Sequence, residues 1–467
     1  MKKRVIWLFS LCTILLGVCI TPAHAEIVIV GTDGVSTSIR SSISVSAVDA
    51  NTFFISYLYL NGNQYEVKFA SSSDGGKNWN TQTLLTGASW SIVPYLYVLN
   101  KNIIFVSYYD YQTRKIMLLK STNGGQSWLP ASDVGTAFYN GDTNQVGTSF
   151  GGGHSLFAVD ENNLFIAYRP DNNAIKLARS NNGGQSWTIL SVIDDPGFNS
   201  ERPDFTLHAI DTNTLFLAYS RWWSDRPSVT MFARSNNGGQ SWQLKEIGPS
   251  STAPTGTPPS PSLYVVDKEV IFVADNLFSG FGVSPVTNII LVSRSTNGGD
   301  TWTTKQFDLS IDPTQNSYFP RVVAAGEKAV SVFFSNKEGL HLAQSVDGGT
   351  IWNLKNVGTS VDGLVDNNLV TPSIVVDFSD FATLAIAYQG KIVDRENRPG
   401  EIRFALVDSG FKDVCEGNLA NHILAGTSPW QGTLAETNPC CGDEPQRDLG
   451  FVGSDSEHGA NSFLCHE

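Results

Sequence analysis

Ser121-Thr-Asn-Gly-Gly-Gln-Ser-Trp128 occurs six times in this chain with small changes. It appears first as Ser72-Ser-Asp-Gly-Gly-Lys-Asn-Trp79, then again as Ser180 to Trp187, Ser235 to Trp242, Ser295 to Trp302 and Ser345 to Trp352. The copies start 49, 59, 55, 60 and 50 residues apart, which is the period of propeller blades or solenoid units. The octapeptide reads as a tight turn in which Asp or Asn accepts from backbone N–H groups and Gly-Gly takes positive φ, while the Trp buries its ring beside the hairpin. Asn123, Asn182, Asn237 and Asn297 replace the acid in four copies. Calcium sites are built on carboxylates, so the motif is read as a structural turn rather than a metal or sugar site.

Working outward from the turn, the fifth unit shows the pattern best. Ser262 to Asp267, Val270 to Ala274 and Asn288 to Ser293 are apolar β runs before the octapeptide, and Thr303 to Phe307 is a fourth after it. Four short strands per unit make a blade. A seventh unit lacks the octapeptide: Ser373 to Asp377, Thr383 to Tyr388 and Glu401 to Leu406 supply three runs only. Glu26-Ile-Val-Ile-Val-Gly31 is the candidate for its missing outer strand, because that pairing removes two exposed sheet edges. The sequence therefore predicts an all-β chain, a seven-bladed β-propeller of four-stranded blades over residues 26–410.

The same register separates two faces. Connections from first to second strand (Asp49 to Thr52, Asp160 to Asn163, Asp211 to Thr214, Asp267 to Glu269) are short and alike, as are the octapeptides. The remaining connections vary widely and must emerge on the opposite face, and variable loops on a rigid scaffold mark a recognition surface. That face carries Arg221-Trp222-Trp223-Ser224-Asp225, with Asp204 beside the channel mouth. Aromatic rings there stack on apolar sugar or protein surface while Arg221, Asp225 and Asp204 bond polar groups; a loop capped by its own aromatics is the competing reading.

Both ends differ from the middle. Residues 1–25 read as a secretory signal, with Lys2, Lys3 and Arg4, an apolar run to Ile20 and Ala23-His24-Ala25 for cleavage. The apolar core is too short for a membrane span. The expected product is secreted or periplasmic after cleavage near Ala25. Cleavage removes three of the 31 basic residues and none of the 44 acidic ones, a balance that excludes indiscriminate binding to nucleic acid. Cys415, Cys440, Cys441 and Cys465 crowd into residues 411–467, which predicts a small disulfide-rich module in an oxidising compartment; zinc fits adjacent Cys440-Cys441 poorly. No spacing of His154, His208 and His341 suggests a metal site, and no cofactor is expected.

The octapeptide closely resembles the Asp-box, S-x-D-x-G-x-x-W, also called the BNR repeat. Asp-boxes on a propeller make residues 26–410 similar to the sialidase superfamily. That resemblance implies an arginine triad for a substrate carboxylate, a Tyr nucleophile assisted by Glu, and an Asp acid/base. On this chain Arg40 resembles the first arginine and Arg221 the second, Asp204 stands near the place of the Glu, and Tyr318 near that of the Tyr. The third arginine position holds Val286-Thr-Asn288, the loop that carries the acid is cut to Leu60 to Tyr65, and family sialidases are six-bladed. A triad short of one guanidinium loses bidentate grip on a carboxylate, and without an acid the leaving group stays unprotonated.

The expected function is thus a non-catalytic binding propeller that recognises a glycan or a cell-surface or extracellular protein. The alternatives are a sialidase-like exo-glycosidase with a divergent site, and an assembly or scaffolding factor.

Overall fold

The computed structural model describes residues 27–35, 43–61, 64–88, 94–110, 112–137, 154–170, 174–194, 205–221, 229–248, 261–278, 288–306, 318–336, 339–359, 373–376, 383–389 and 400–408. The signal segment and the cysteine-rich tail, with Cys415, Cys440, Cys441 and Cys465, lie outside them. The chain is all-β. Among the described residues no helix is long and apolar enough to cross a membrane.

Six four-stranded antiparallel sheets follow one another along the chain, each made of consecutive strands. The fourth consists of Phe205–Ala209, Leu215–Arg221, Val229–Ser235 and Gln243–Ile247. The fifth consists of Ser262–Val265, Ile271–Phe278, Asn288–Ser295 and Thr303–Gln306. A further sheet is composite: Ser373–Val376, Thr383–Gln389 and Gly400–Asp408 are completed by Ile27–Val35, with Ile27 opposite Ala405. Its outer strand thus comes from the other end of the chain, as the missing fourth run requires. The innermost strand of each sheet touches that of the next, and Ser373–Val376 touches both Tyr318–Ala325 and Ile43–Ala47, so the contacts run full circle. Sheets stacked this way bury both faces, which is why the second strands read as continuous apolar runs such as Leu215-Phe-Leu-Ala218.

Two devices tie neighbouring sheets together. Hydroxyls on the innermost strands reach the backbone of the next sheet: Leu207 N–H donates to Ser155 Oγ (3.0 Å), Thr206 Oγ1 to Pro261 C=O (3.1 Å) and Val322 N–H to Ser262 Oγ (3.1 Å). The box tryptophans supply the second device. The sequence reading packs each ring beside its own hairpin, yet Trp128 meets Phe69, Trp302 meets Phe232 and Trp79 meets Phe404, all on the third strand of the preceding sheet, at 4.9–5.1 Å between centroids. The ring is a clasp between sheets because the box turn projects beyond its own strands. The second box glycine fits the same contact: Gly299 has φ +92, and a Cβ there would sit 2.2 Å from the Phe232 ring.

Candidate functional site

On the face formed by boxes and short turns many polar groups bond within their own turns. In the box of the second sheet Ser121 Oγ donates to Asn123 Oδ1 (3.0 Å), Gly125 N–H donates to Ser121 Oγ (2.8 Å), and Ser127 N–H donates to Asn123 Oδ1 (2.9 Å). In five of the six boxes the Asp or Asn side chain bonds a side chain four residues on. Asn123, Asn182, Asn237 and Asn297 donate Nδ2 to a Ser or Thr hydroxyl at 2.8 Å, whereas Asp74 accepts from Asn78 Nδ2 at 2.6 Å. Asp74 is held down to about 2, first by the Asn78 backbone N–H and then by its side chain. The short turns are capped alike: Asp49 and Asp211 each accept two backbone N–H bonds.

Of the residues singled out for binding, the structure describes Arg221, on the opposite face. Arg221 ends the second strand of the fourth sheet, half-buried and opposite Val229. Asp204 immediately precedes Phe205 in the chain; it, Trp222, Trp223, Asp225 and Arg40 lie outside the described residues. Tyr318 opens the innermost strand of the sixth sheet, opposite Ser335. Arg221 and Tyr318 are therefore separated by the whole fifth sheet. Among the histidines, His208 packs against Phe157 in a tilted pair at 4.5 Å between centroids, and burial pushes it down to about 4, so it is neutral and serves packing.

A polar cluster beside Arg221 is absent from the sequence reading. Each second strand places one residue opposite its box serine: Phe53, Ile104, Leu164, Leu215, Ile271 and Val330 face Ser72, Ser121, Ser180, Ser235, Ser295 and Ser345. Four residues further toward the loop face the register holds Tyr57, Tyr108, Tyr168, Tyr219, Asp275 and Phe334. Only the fifth sheet puts a carboxylate where the others put a ring. On the third strand, five residues before the box serine, the register holds Val67, Ile116, Ile175, Thr230, Ile290 and Leu340. Only the fourth sheet departs from aliphatic there.

These two departures meet. Thr230 Oγ1 donates to Asp275 Oδ2 across the seam between the fourth and fifth sheets, and both side chains are buried. Ser220, opposite Thr230 in the ladder, is fully buried, and its hydroxyl has no partner among the described residues. Deeper in the seam the contacts are apolar: Phe216, Ala218 and Phe232 against Leu263, Ile271 and Val273. Burial raises the Asp275 carboxyl to about 6, with the Thr230 hydroxyl pulling the other way. The signal was present in the sequence as a break in the Tyr column, visible once strands are aligned on the box serines.

No family model matches the chain, and no curated protein matches it. Among solved structures, polysaccharide lyase Uly1 is 10% identical with a TM-score of 0.51, covering 78% of this chain and 89% of that one. An alpha-L-arabinanase of Penicillium chrysogenum is 14% identical with a TM-score of 0.45, covering 82% and 97%. An Aleuria aurantia lectin in complex with Fucalpha1-6GlcNAc is 16% identical with a TM-score of 0.39, covering 70% and 99%. At 10% identity the lyase likeness is one of fold alone; the closed circle of four-stranded sheets is itself a β-propeller arrangement.

Proposed function

We propose that the chain is an exported, seven-bladed Asp-box propeller, similar to the sialidase superfamily in its repeat, that binds a glycan through its variable loop face without catalysis. One observation carries this reading: the box face bonds many of its polar groups within its own turns, while toward the opposite face Ser220, Thr230 and Asp275 are buried in the seam beside the strand that ends at Arg221. Polar groups built into a scaffold at the root of variable loops are the usual makings of a binding site. Trp222 and Trp223, next in the chain after Arg221, supply rings for the apolar faces of sugars.

The test is a glycan array probed with the mature protein, with a fluorogenic sialoside assay and pull-down from surface extracts run in parallel. Glycan binding without turnover supports the reading. Turnover abolished by Arg40→Ala or Arg221→Ala replaces it with the glycosidase, and a protein partner captured in the absence of glycan replaces it with the scaffold. Export is checked by the mature N-terminus, expected after Ala25. Residues 411–467 are assigned to a disulfide module in which Cys415 and Cys465 each bond Cys440 or Cys441; four free thiols by mass spectrometry overturn that assignment.

A further inference from the structure

The seam between the fourth and fifth sheets holds more hydrogen-bonding capacity than it uses. An ionised carboxylate offers about four acceptor positions, and Asp275 takes one bond, from Thr230, with no other partner among the described residues. Ser220 Oγ, fully buried, likewise has none. Buried polar groups left unmatched cost free energy. A ring at position 275 and an aliphatic residue at 230, as in the other sheets, remove that cost without altering the backbone. Two adjacent sheets both depart from the repeat at one place, at the end where the Arg221 loop begins.

We infer that this seam is a subsite for the hydroxyl groups of a neutral carbohydrate, with Asp275 accepting from them and Ser220 both donating and accepting. The inference rests on the glycan-binding reading above and narrows it. A sugar hydroxyl both donates and accepts, which a carboxylate held by Thr230 and a Ser hydroxyl opposite Thr230 in the ladder can satisfy. An acidic sugar is repelled: side chains alternate along a strand, so Arg221 belongs to the face of the sheet opposite Ser220 and does not neutralise Asp275 within the seam. The subsite therefore selects neutral over sialylated glycans, the reverse of what the sialidase resemblance implies.

The experiment uses the mature protein, wild type and with Asp275→Asn, Ser220→Ala or Trp222→Ala, on an array of neutral and sialylated glycans. Calorimetry follows with the strongest neutral binder, in the presence and absence of a chelator. Expected are neutral binders, an affinity loss of about tenfold or more for Asp275→Asn and about threefold or more for Ser220→Ala, and melting temperatures no lower than wild type for Asp275→Asn. Neutral binding that Trp222→Ala weakens and Asp275→Asn leaves unchanged overturns the subsite and leaves glycan recognition standing. Preference for sialylated glycans overturns the subsite as well. Binding that is lost with chelator and restored by calcium shows the cluster to be a cation site instead. An array with no binder overturns glycan recognition itself, and the subsite with it.

Discussion

Asp275→Asn isolates the free energy stored in the seam. The carboxyl stands at about 6 in the folded chain against an ordinary 3.8, because burial disfavours the charged form. A raised acid pKa means that the folded state holds the proton more tightly than the unfolded state does. Stability from this group is therefore full at low pH, falls between about pH 4 and 6, and is absent above. The rise from 3.8 to about 6 corresponds to about 3 kcal/mol across that window, or about 4 °C in Tm for a ring of this size. The box carboxylate Asp74 works in the opposite sense, since its pKa is lowered to about 2; its contribution is lost only below its ordinary range, outside the window. Asn keeps the shape and an acceptor for Thr230 but does not titrate. Melts of both proteins between pH 4 and 7.5 should converge at the acid end, with the variant about 4 °C higher at the alkaline end. A constant offset at every pH, or a variant less stable near neutrality, refutes the reasoning.

Trp302→Ala removes a ring that clasps Phe232 of the preceding sheet and donates to Gly299 C=O at 2.9 Å. It should cost about 3 kcal/mol by denaturant titration and leave ligand affinity in the folded fraction unchanged. Gly299→Ala forces a Cβ into the Phe232 ring at a positive φ; the expected loss is about 2–4 kcal/mol, and an unchanged midpoint would show that the box turn can shift. Deleting residues 27–30 removes the part of the outer strand that pairs Ile27, Val28 and Ile29 with Ala405, Phe404 and Arg403, and exposes a sheet edge. Aggregation or a clear drop in Tm is expected, and a soluble, fully stable product would show that the composite sheet does not need its closing strand.

The fold was legible because its cause is local and repeated. An octapeptide that can only be a tight turn, recurring at blade spacing between alternating apolar runs, leaves few other architectures, and even the N-terminal strand of the composite sheet follows from the edge it has to cover. What the repeat could not show was direction across sheets. The box tryptophan reaches back to the preceding sheet, and nothing in an octapeptide says which neighbour its ring meets. The Asn-for-Asp exchanges were visible but read only as loss of charge; the hydroxyl four residues on, to which each Asn donates, lies within the same eight residues. The residues proposed for binding differ in how visible they are in the sequence. Loop length and aromatic content pointed to the Arg221 segment, whereas Asp275 sits inside a strand beside Asn276 and stands out only against its counterparts in the other sheets.

That contrast is the reason to look for function in departures from the repeat rather than in the repeat itself. Tyr57, Tyr108, Tyr168 and Tyr219 are all buried at one register position, so a ring there meets a mechanical need common to the sheets. Replacing it by a carboxylate, in a seam where the facing residue has also become a hydroxyl, sacrifices apolar contact and adds a desolvation cost of about 3 kcal/mol at neutral pH. In the proposed subsite, hydrogen bonds from a ligand return that cost on binding, since a buried carboxylate held by Thr230 needs little reorganisation to accept a hydroxyl. The same polar seam therefore makes the empty ring less stable above about pH 6 and the occupied ring more selective. Both effects should disappear together in Asp275→Asn, and a variant that loses one while keeping the other would separate the seam's stability from its role in recognition.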